Sequence, residues 1–381
     1  MADISLRLNQ KIVIGQDTVN RLGLLCAEHG GRALVVSEQV LYENKVIERV
    51  VSVLADAGVD AIVFDEVPAQ ATADVAENAA ELARGARCSV VVGLGGLKTL
   101  AVARTAALLA PGNDYLFDLM DGAAPRGPSH PFIAVPTTGR DPFLFSENFI
   151  AVDPRDRSVK MIKSGPNLCV AAVLDSGLSE SLSGKFSATT AFDGFCSAFE
   201  GYCSSKSNFF SDAVLERAME SYIRIMDSFA DGRPFDTLGL STQAGFLTSL
   251  GVASSAPGVG TALSFALNGR FPVAKSWCST VMLPYVMEFV ATARVERLAK
   301  IAALMGEAVE GAGTSSAAAM AVDGIRRRMG LLKVPARLKD FGLALDKLVP
   351  VAESARDLEF VAFSPRAVSS EDAYDLLKQA Y

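Results

Sequence analysis

Two hydrophobic rhythms divide this chain. In its first part, short unbroken apolar runs alternate with segments whose apolar positions recur at helical spacing. RALVVS (32–37) is apolar at successive positions, as a parallel strand covered on both faces requires. NKVIERVVSVLADAG (44–58) then has helical spacing and stops at Gly58, and DAIVFDEV (60–67) reads as the next strand. TADVAENAAELARG (72–85) is a helix closed by Gly85, and CSVVVGLGG (88–96) is a strand entering a glycine turn. LKTLAVARTAALLA (97–110) is a helix ended by Pro111-Gly112, and HPFIAVPTT (130–138) is a further strand. Regular strand–helix alternation predicts a parallel α/β domain.

From about residue 180 the rhythm becomes helical throughout, over 187–204, 210–229, 235–255, 279–305 and 314–329, with strand signals almost absent. The pattern predicts a Rossmann-like α/β domain over 1–178 followed by an all-helical domain over 179–381, joined near AVLDSGLSESLS (172–183).

Composition narrows the function classes. Half of the 381 residues are hydrophobic and the net charge is −7, with basic residues scattered, so no basic face for nucleic acid is indicated. The six cysteines form no CxxC pair and read as reduced, mostly buried thiols. MADISLRLNQK lacks the apolar block of a signal peptide, and no apolar run reaches the ~18 residues of a membrane span, so a cytoplasmic protein with a small-molecule ligand is expected.

In an open parallel sheet, ligands bind beyond the carboxyl ends of the strands. VVGLGGLKTL (91–100) offers there a turn in which Gly95 and Gly96 let a phosphate approach backbone N–H groups, with Lys98 as an added cation. A carboxylate after the strand, Glu38, can accept hydrogen bonds from a ribose 2′-hydroxyl, which favours NAD over NADP. Thr137 and Thr138 bring hydroxyls to another strand end, in AVPTTGRDPF (134–143). Each position also has a plain alternative: a connecting turn, a solvated lysine or a helix-capping carboxylate. In the second half, GVGTALSFALNGRFPVAKSWC (258–278) reads as an apolar helix that breaks at Asn268-Gly269, followed by a loop that delivers a lone Lys275 beside the only tryptophan, Trp277.

These segments together resemble the iron-containing (group III) alcohol dehydrogenase family. VVGLGG is similar to the strand leading into that family's GGGS loop, and PTT to its second cofactor loop. FDGFCSAFEGYCS (192–204) resembles its MDALTHAIEAYVS helix, MLPYVMEF (282–289) its LLPHVMEFN, and FSPRAVSSEDAYDLLKQAY (363–381) its TNPRPVTxEDIxxLxxxAY. The likeness spans nearly the whole chain. It implies a dehydroquinate synthase-like architecture, a homodimer, and hydride transfer between a nicotinamide cofactor and a small substrate between the two domains.

The departures fall on working residues. The resemblance implies a divalent metal held by one Asp and three His. Carried onto this chain, the Asp is Asp193, but the histidines become Ser197, Thr261 and Lys275, and an additional active-site His becomes Phe265. The chain has only two histidines, His29 and His130, neither near these positions. One carboxylate with two hydroxyls is a poor set for iron or zinc, so no metal is expected. Lys275 is expected to pair with Asp193 where the metal would sit, either as a structural replacement alone or also polarising a substrate carbonyl; the alternative has it facing solvent. In the cofactor loops, Leu97, Lys98 and Ala101 replace a glycine, a serine and an acidic residue, and Arg140, Asp141, Pro142, Phe143 and Leu144 replace small residues. Phe143, Phe192, Phe195, Phe265 and Phe271 are candidates to line an apolar substrate cleft, or ordinary core.

The expected activity is a metal-independent NAD(P)-dependent oxidoreductase acting on an alcohol, aldehyde or ketone, with NAD(H) as cofactor. The alternatives are a catalytically inactive paralogue that binds a ligand or partner, and a different enzyme on the same scaffold.

Overall fold

The structure, a computed structural model, describes residues 4, 6–179, 184–232 and 237–381, with residue 185 as backbone only. It divides into two compact units, Arg7–Ser181 and Met1–Leu6 with Leu182–Tyr381.

The first unit is built on strands β1 (Lys11–Gly15), β2 (Arg32–Val36), β3 (Asp60–Phe64), β4 (Val90–Gly95), β5 (Phe132–Pro136) and β8 (Cys169–Asp175), with β6 (Asn148–Val152) and β7 (Val159–Lys163) as a separate antiparallel pair. Its helices are α1 (Leu22–Ala27), α2 (Val40–Glu43), α3 (Val46–Asp56), α4 (Val75–Gly85), α5 (Leu97–Leu109) and α6 (Leu116–Met120). Among the described residues the six-stranded sheet runs β1-β8-β5-β4-β2-β3, with every pairing parallel. The apolar runs of the sequence become its middle: Ala33 to Val36, Val90 to Val92 and Phe132 to Val135 are all solvent-inaccessible. Val35, Val92 and Val135 join Leu22, Val50 and Leu54 in one core cluster.

The strand order places the ligand end. After β2 the chain steps outward to β3, then returns to lay β4 on the other side of β2 and continues to β5 and β8. The order therefore reverses between β2 and β4, and the loops leaving their carboxyl ends diverge there.

The second unit is helical: α7 (Gly184–Cys203), α8 (Phe209–Ala230), α9 (Thr237–Ala253), α10 (Val259–Arg270), α11 (Lys275–Leu304), α12 (Thr314–Leu331), α13 (Val349–Arg356) and α14 (Ser370–Gln379). Helix α8 starts with a capping box: the Asn208 side chain accepts from Ser211 N–H while Ser211 Oγ accepts from Asn208 N–H. Helix α7 passes α8 closely enough that a Cβ on Gly194 would lie 2.2 Å from Tyr222 Cζ, so glycine there admits the buried tyrosine ring. Among the described residues no helix is long and apolar enough to cross a membrane.

Two expectations are corrected. Lys275 does not sit in a loop: it is the first residue of α11, after Ala274 at φ −61°, ψ 139°. No Ser, Thr, Asp or Asn side chain caps that terminus, so the usual start signal is missing and the helix begins four residues before 279. The segment before it also holds its helix through Asn268-Gly269 as far as Arg270. Asn268 Nδ2 donates to Val273 O at 2.7 Å and ties the short connection back onto the helix.

Candidate active site

In the helical unit, three elements converge on Asp193. On α7, Asp193, Ser197 and Glu200 stand at i, i+4 and i+7 and so share one face. On α11, Lys275 and Ser279 are one turn apart and share another. Lys275 Nζ donates to Asp193 Oδ1, and Ser279 Oγ donates to the same oxygen at 2.5 Å. The side chains of Lys275 and Asp193 are 2% and 0% exposed, so this ion pair is dry. Ser279 Oγ lies 3.5 Å from Lys275 Nζ, and the Phe265 ring centroid lies 4.7 Å from that ammonium.

Helix α10 completes the group. Thr261 Oγ1 and Ser197 Oγ face each other at 3.4 Å, both buried. The first turn of α10 is held by the Glu200 carboxylate, which accepts Gly258 N–H at 3.0 Å, Gly260 N–H at 2.5 Å and Thr261 N–H at 2.9 Å. A helix leaves its first N–H groups without internal partners, and a carboxylate placed against them also opposes the positive end of the helix dipole. Burial raises the Glu200 pKa, and the hydrogen bonds from Thr261, Gly260 and Gly258 partly offset it. Burial also pushes the Cys196 thiol well above its ordinary value, with Glu200 adding to the effect, so it stays protonated rather than serving as a thiolate.

Ser279 and Glu200 are functional candidates that sequence reasoning passed over. Their signals were their spacings, one turn after Lys275 and two turns after Asp193. Of the other candidate cleft residues here, Phe192 and Phe195 are fully buried in α7, while Phe271 is the partly exposed residue that ends α10. Among the described residues, no three His, Cys, Asp or Glu side chains are grouped to hold a metal ion.

The α/β unit brings a second group together at the point where the strand order reverses. Glu38, following β2, reaches the start of α5: its Oε1 accepts Gly96 N–H at 3.1 Å and Thr99 Oγ1–H at 3.2 Å. Gly95 has φ +155°, in the region that favours glycine, and a Cβ there would lie 2.8 Å from Thr99 and 2.9 Å from Glu38 Oε1. Thr137 N–H donates to Gly95 O at 3.0 Å, which joins the loops after β5 and β4. Thr137 O accepts from Ser179 Oγ at 2.7 Å, and Thr138 O accepts from Arg140 N–H at 2.9 Å. Lys98 points another way: its Nζ donates to Ala69 O at 2.8 Å.

Of the bulky residues after Thr138, Asp141, Phe143 and Leu144 are held by contacts within this unit. Asp141 forms an ion pair with Arg104 of α5 at 3.5 Å, with side chains 6% and 4% exposed. Asp141 Oδ1 accepts Phe143 N–H at 2.9 Å, and Arg104 donates to Leu144 O at 3.3 Å. The Arg104 guanidinium also lies 5.6 Å from the Phe132 and Phe149 ring centroids. Phe143 is buried. The loop is thereby fastened to α5. Both histidines of the chain lie in this unit, and burial lowers the His130 pKa.

Residues 9–176 match the family described as iron-containing alcohol dehydrogenase, and residues 187–381 match the Fe-containing alcohol dehydrogenase family, C-terminal. A 1,3-propanediol dehydrogenase of Citrobacter freundii is 24% identical over 371 residues, covering 96% of each chain. An NAD-dependent methanol dehydrogenase of Bacillus methanolicus is 22% identical over 371 residues, covering 97% of each. The fold is similar to the crystal structure of a 1,3-propanediol oxidoreductase, with a TM-score of 0.92 at 22% identity and 100% of both chains covered.

Proposed function

Because this chain belongs to the iron-containing alcohol dehydrogenase family, we propose that it is an NAD(P)-dependent oxidoreductase of alcohols, aldehydes or ketones that works without a bound divalent metal. Its relatives include an NAD-dependent methanol dehydrogenase and a 1,3-propanediol dehydrogenase, which supports a small alcohol or carbonyl substrate.

The nicotinamide cofactor would supply or accept the hydride. Gly95, Gly96, Thr137 and Thr138 are the residues proposed to hold its pyrophosphate and Glu38 a ribose hydroxyl, whereas Lys98 is turned to Ala69 O. The reversal of strand order at β2 and β4, the left-handed Gly95 and the N-terminus of α5 fit that role.

The residues around Asp193 do not fit a divalent metal. Iron and zinc favour imidazole and thiolate beside carboxylate, whereas Asp193 is met by the Lys275 ammonium and the Ser279 hydroxyl. The single observation that carries the metal-free reading is the buried Lys275–Asp193 pair. In this reading Lys275 also places positive charge toward a substrate oxygen, the task otherwise left to a Lewis acid.

The test is turnover by chelator-treated protein, with NAD(H) and NADP(H), on a panel of short alcohols and aldehydes. Activity that survives chelation supports the reading; activity that returns only with iron or zinc overturns its metal-free part. A second reading, a non-catalytic ligand-binding or regulatory paralogue, is favoured by Glu38, whose carboxylate already occupies the N–H of Gly96. No turnover with any pair in that panel would favour it.

A further inference from the structure

We infer that Lys275 is a cation built into the chain in place of a bound one, and that Asp193 is kept as its counter-charge. The inference deepens the metal-free reading above and rests on it.

The argument begins with desolvation. A carboxylate at 0% exposure needs a positive partner or donors, because an isolated buried charge is strongly disfavoured. In an iron-containing family the expected partner is a divalent ion. Here the carboxylate oxygen is taken by Lys275 Nζ and by Ser279 Oγ at 2.5 Å. Both donors come from the first two turns of α11, so the start of that helix delivers the charge and the hydrogen bond together.

The surroundings agree with a resident ammonium. Phe265 lies with its ring centroid 4.7 Å from Nζ, and an aromatic face attracts an ammonium through its quadrupole. Ser197 and Thr261 face each other at 3.4 Å as neutral hydroxyls. A divalent ion on Asp193 Oδ1 would have to displace Lys275, and the displaced ammonium would itself be buried without its partner. The arrangement therefore excludes metal by occupying the anchor as well as by lacking ligands.

The test is a stability cycle with metal analysis on the full chain. Lys275→Met leaves a buried carboxylate without its cation, and Asp193→Asn leaves a buried ammonium with a neutral partner. Both single variants are expected to lower the urea midpoint. Asp193→Asn/Lys275→Met, which removes both charges, is expected to recover at least half of the loss seen in Lys275→Met. Should Lys275→Met fail to fold, soluble and cooperatively unfolding Asp193→Asn/Lys275→Met would still show the recovery.

Purified wild type, grown with added iron and zinc, is expected to retain less than a tenth of an equivalent of either. A double variant no more stable than Lys275→Met, or single variants as stable as wild type, would overturn the counter-charge inference and leave metal-free turnover standing. One equivalent of iron or zinc, lost in Asp193→Asn, would overturn both.

Discussion

Thr261 N–H donates to Glu200 Oε2 at 2.9 Å, so a carboxylate of α7 fixes the first turn of the helix that turns Thr261 toward Ser197. Burial raises the pKa of that carboxylate from its ordinary 4.5, so the folded protein holds the proton more readily than the unfolded chain. This group's stabilising difference is complete below pH 4.5 and is lost as pH rises through the raised value. Denaturant unfolding of wild type and Glu200→Gln across the acid range measures it. Wild type is expected to lose stability relative to the variant as pH rises, and a pH-independent difference would contradict the assignment.

Ser279→Ala removes one of the two donors on the buried Asp193 oxygen. Leaving that position unmet is expected to cost about 1–3 kcal/mol, read as a lower urea midpoint with an unchanged slope. A midpoint equal to wild type would mean that the hydroxyl contributes nothing to holding Asp193.

At Gly194, a methyl group would meet the Tyr222 ring 2.2 Å away, with both residues enclosed between α7 and α8. Gly194→Ala is therefore expected to destabilise by about 1–3 kcal/mol, the usual cost of overpacking a filled core. Gly194→Ala combined with Tyr222→Leu tests the cause, because it removes the ring that the methyl group meets, and the combined loss is expected to be smaller than the sum of the two single losses. Additive losses would show that the ring is not the obstacle.

The proposed ribose role of Glu38 makes cofactor choice its readout. Glu38→Ala is expected to weaken NADH binding about tenfold or more, from the ~1.5–3 kcal/mol of a hydrogen bond to a charged group, and to shift preference toward NADPH. Fluorescence titration with each cofactor measures both. Unchanged or tighter NADH binding would instead identify Glu38 as a competitor for the Gly96 N–H.

Much of the scaffold was legible because burial on both faces writes unbroken apolar runs. Leu34 in β2, Val91 in β4 and Ile133 in β5 are all fully inaccessible and sit in such runs. Strand β1 was not legible, since KIVIG exposes Lys11 and Ile14, and β6 and β7 form a small pair that lies outside the strand–helix alternation. The start of α11 escaped for a different reason: its first residue is a buried lysine with no capping side chain before it. Ser279 and Glu200 were visible only as spacings, and the partner that gives each its meaning lies on another helix. Arg104 is a charge within an apolar helix, and its partner Asp141 lies in the loop after β5, where no spacing in the sequence links the two.

The central claim is that this member of the family binds a nicotinamide cofactor without a divalent metal, and calorimetric titration of NADH into chelator-treated protein of measured metal content tests it most directly. The account predicts saturable binding of one NADH per chain with no iron or zinc present. No heat of binding at millimolar NADH, or binding that appears only when metal is restored, would contradict it.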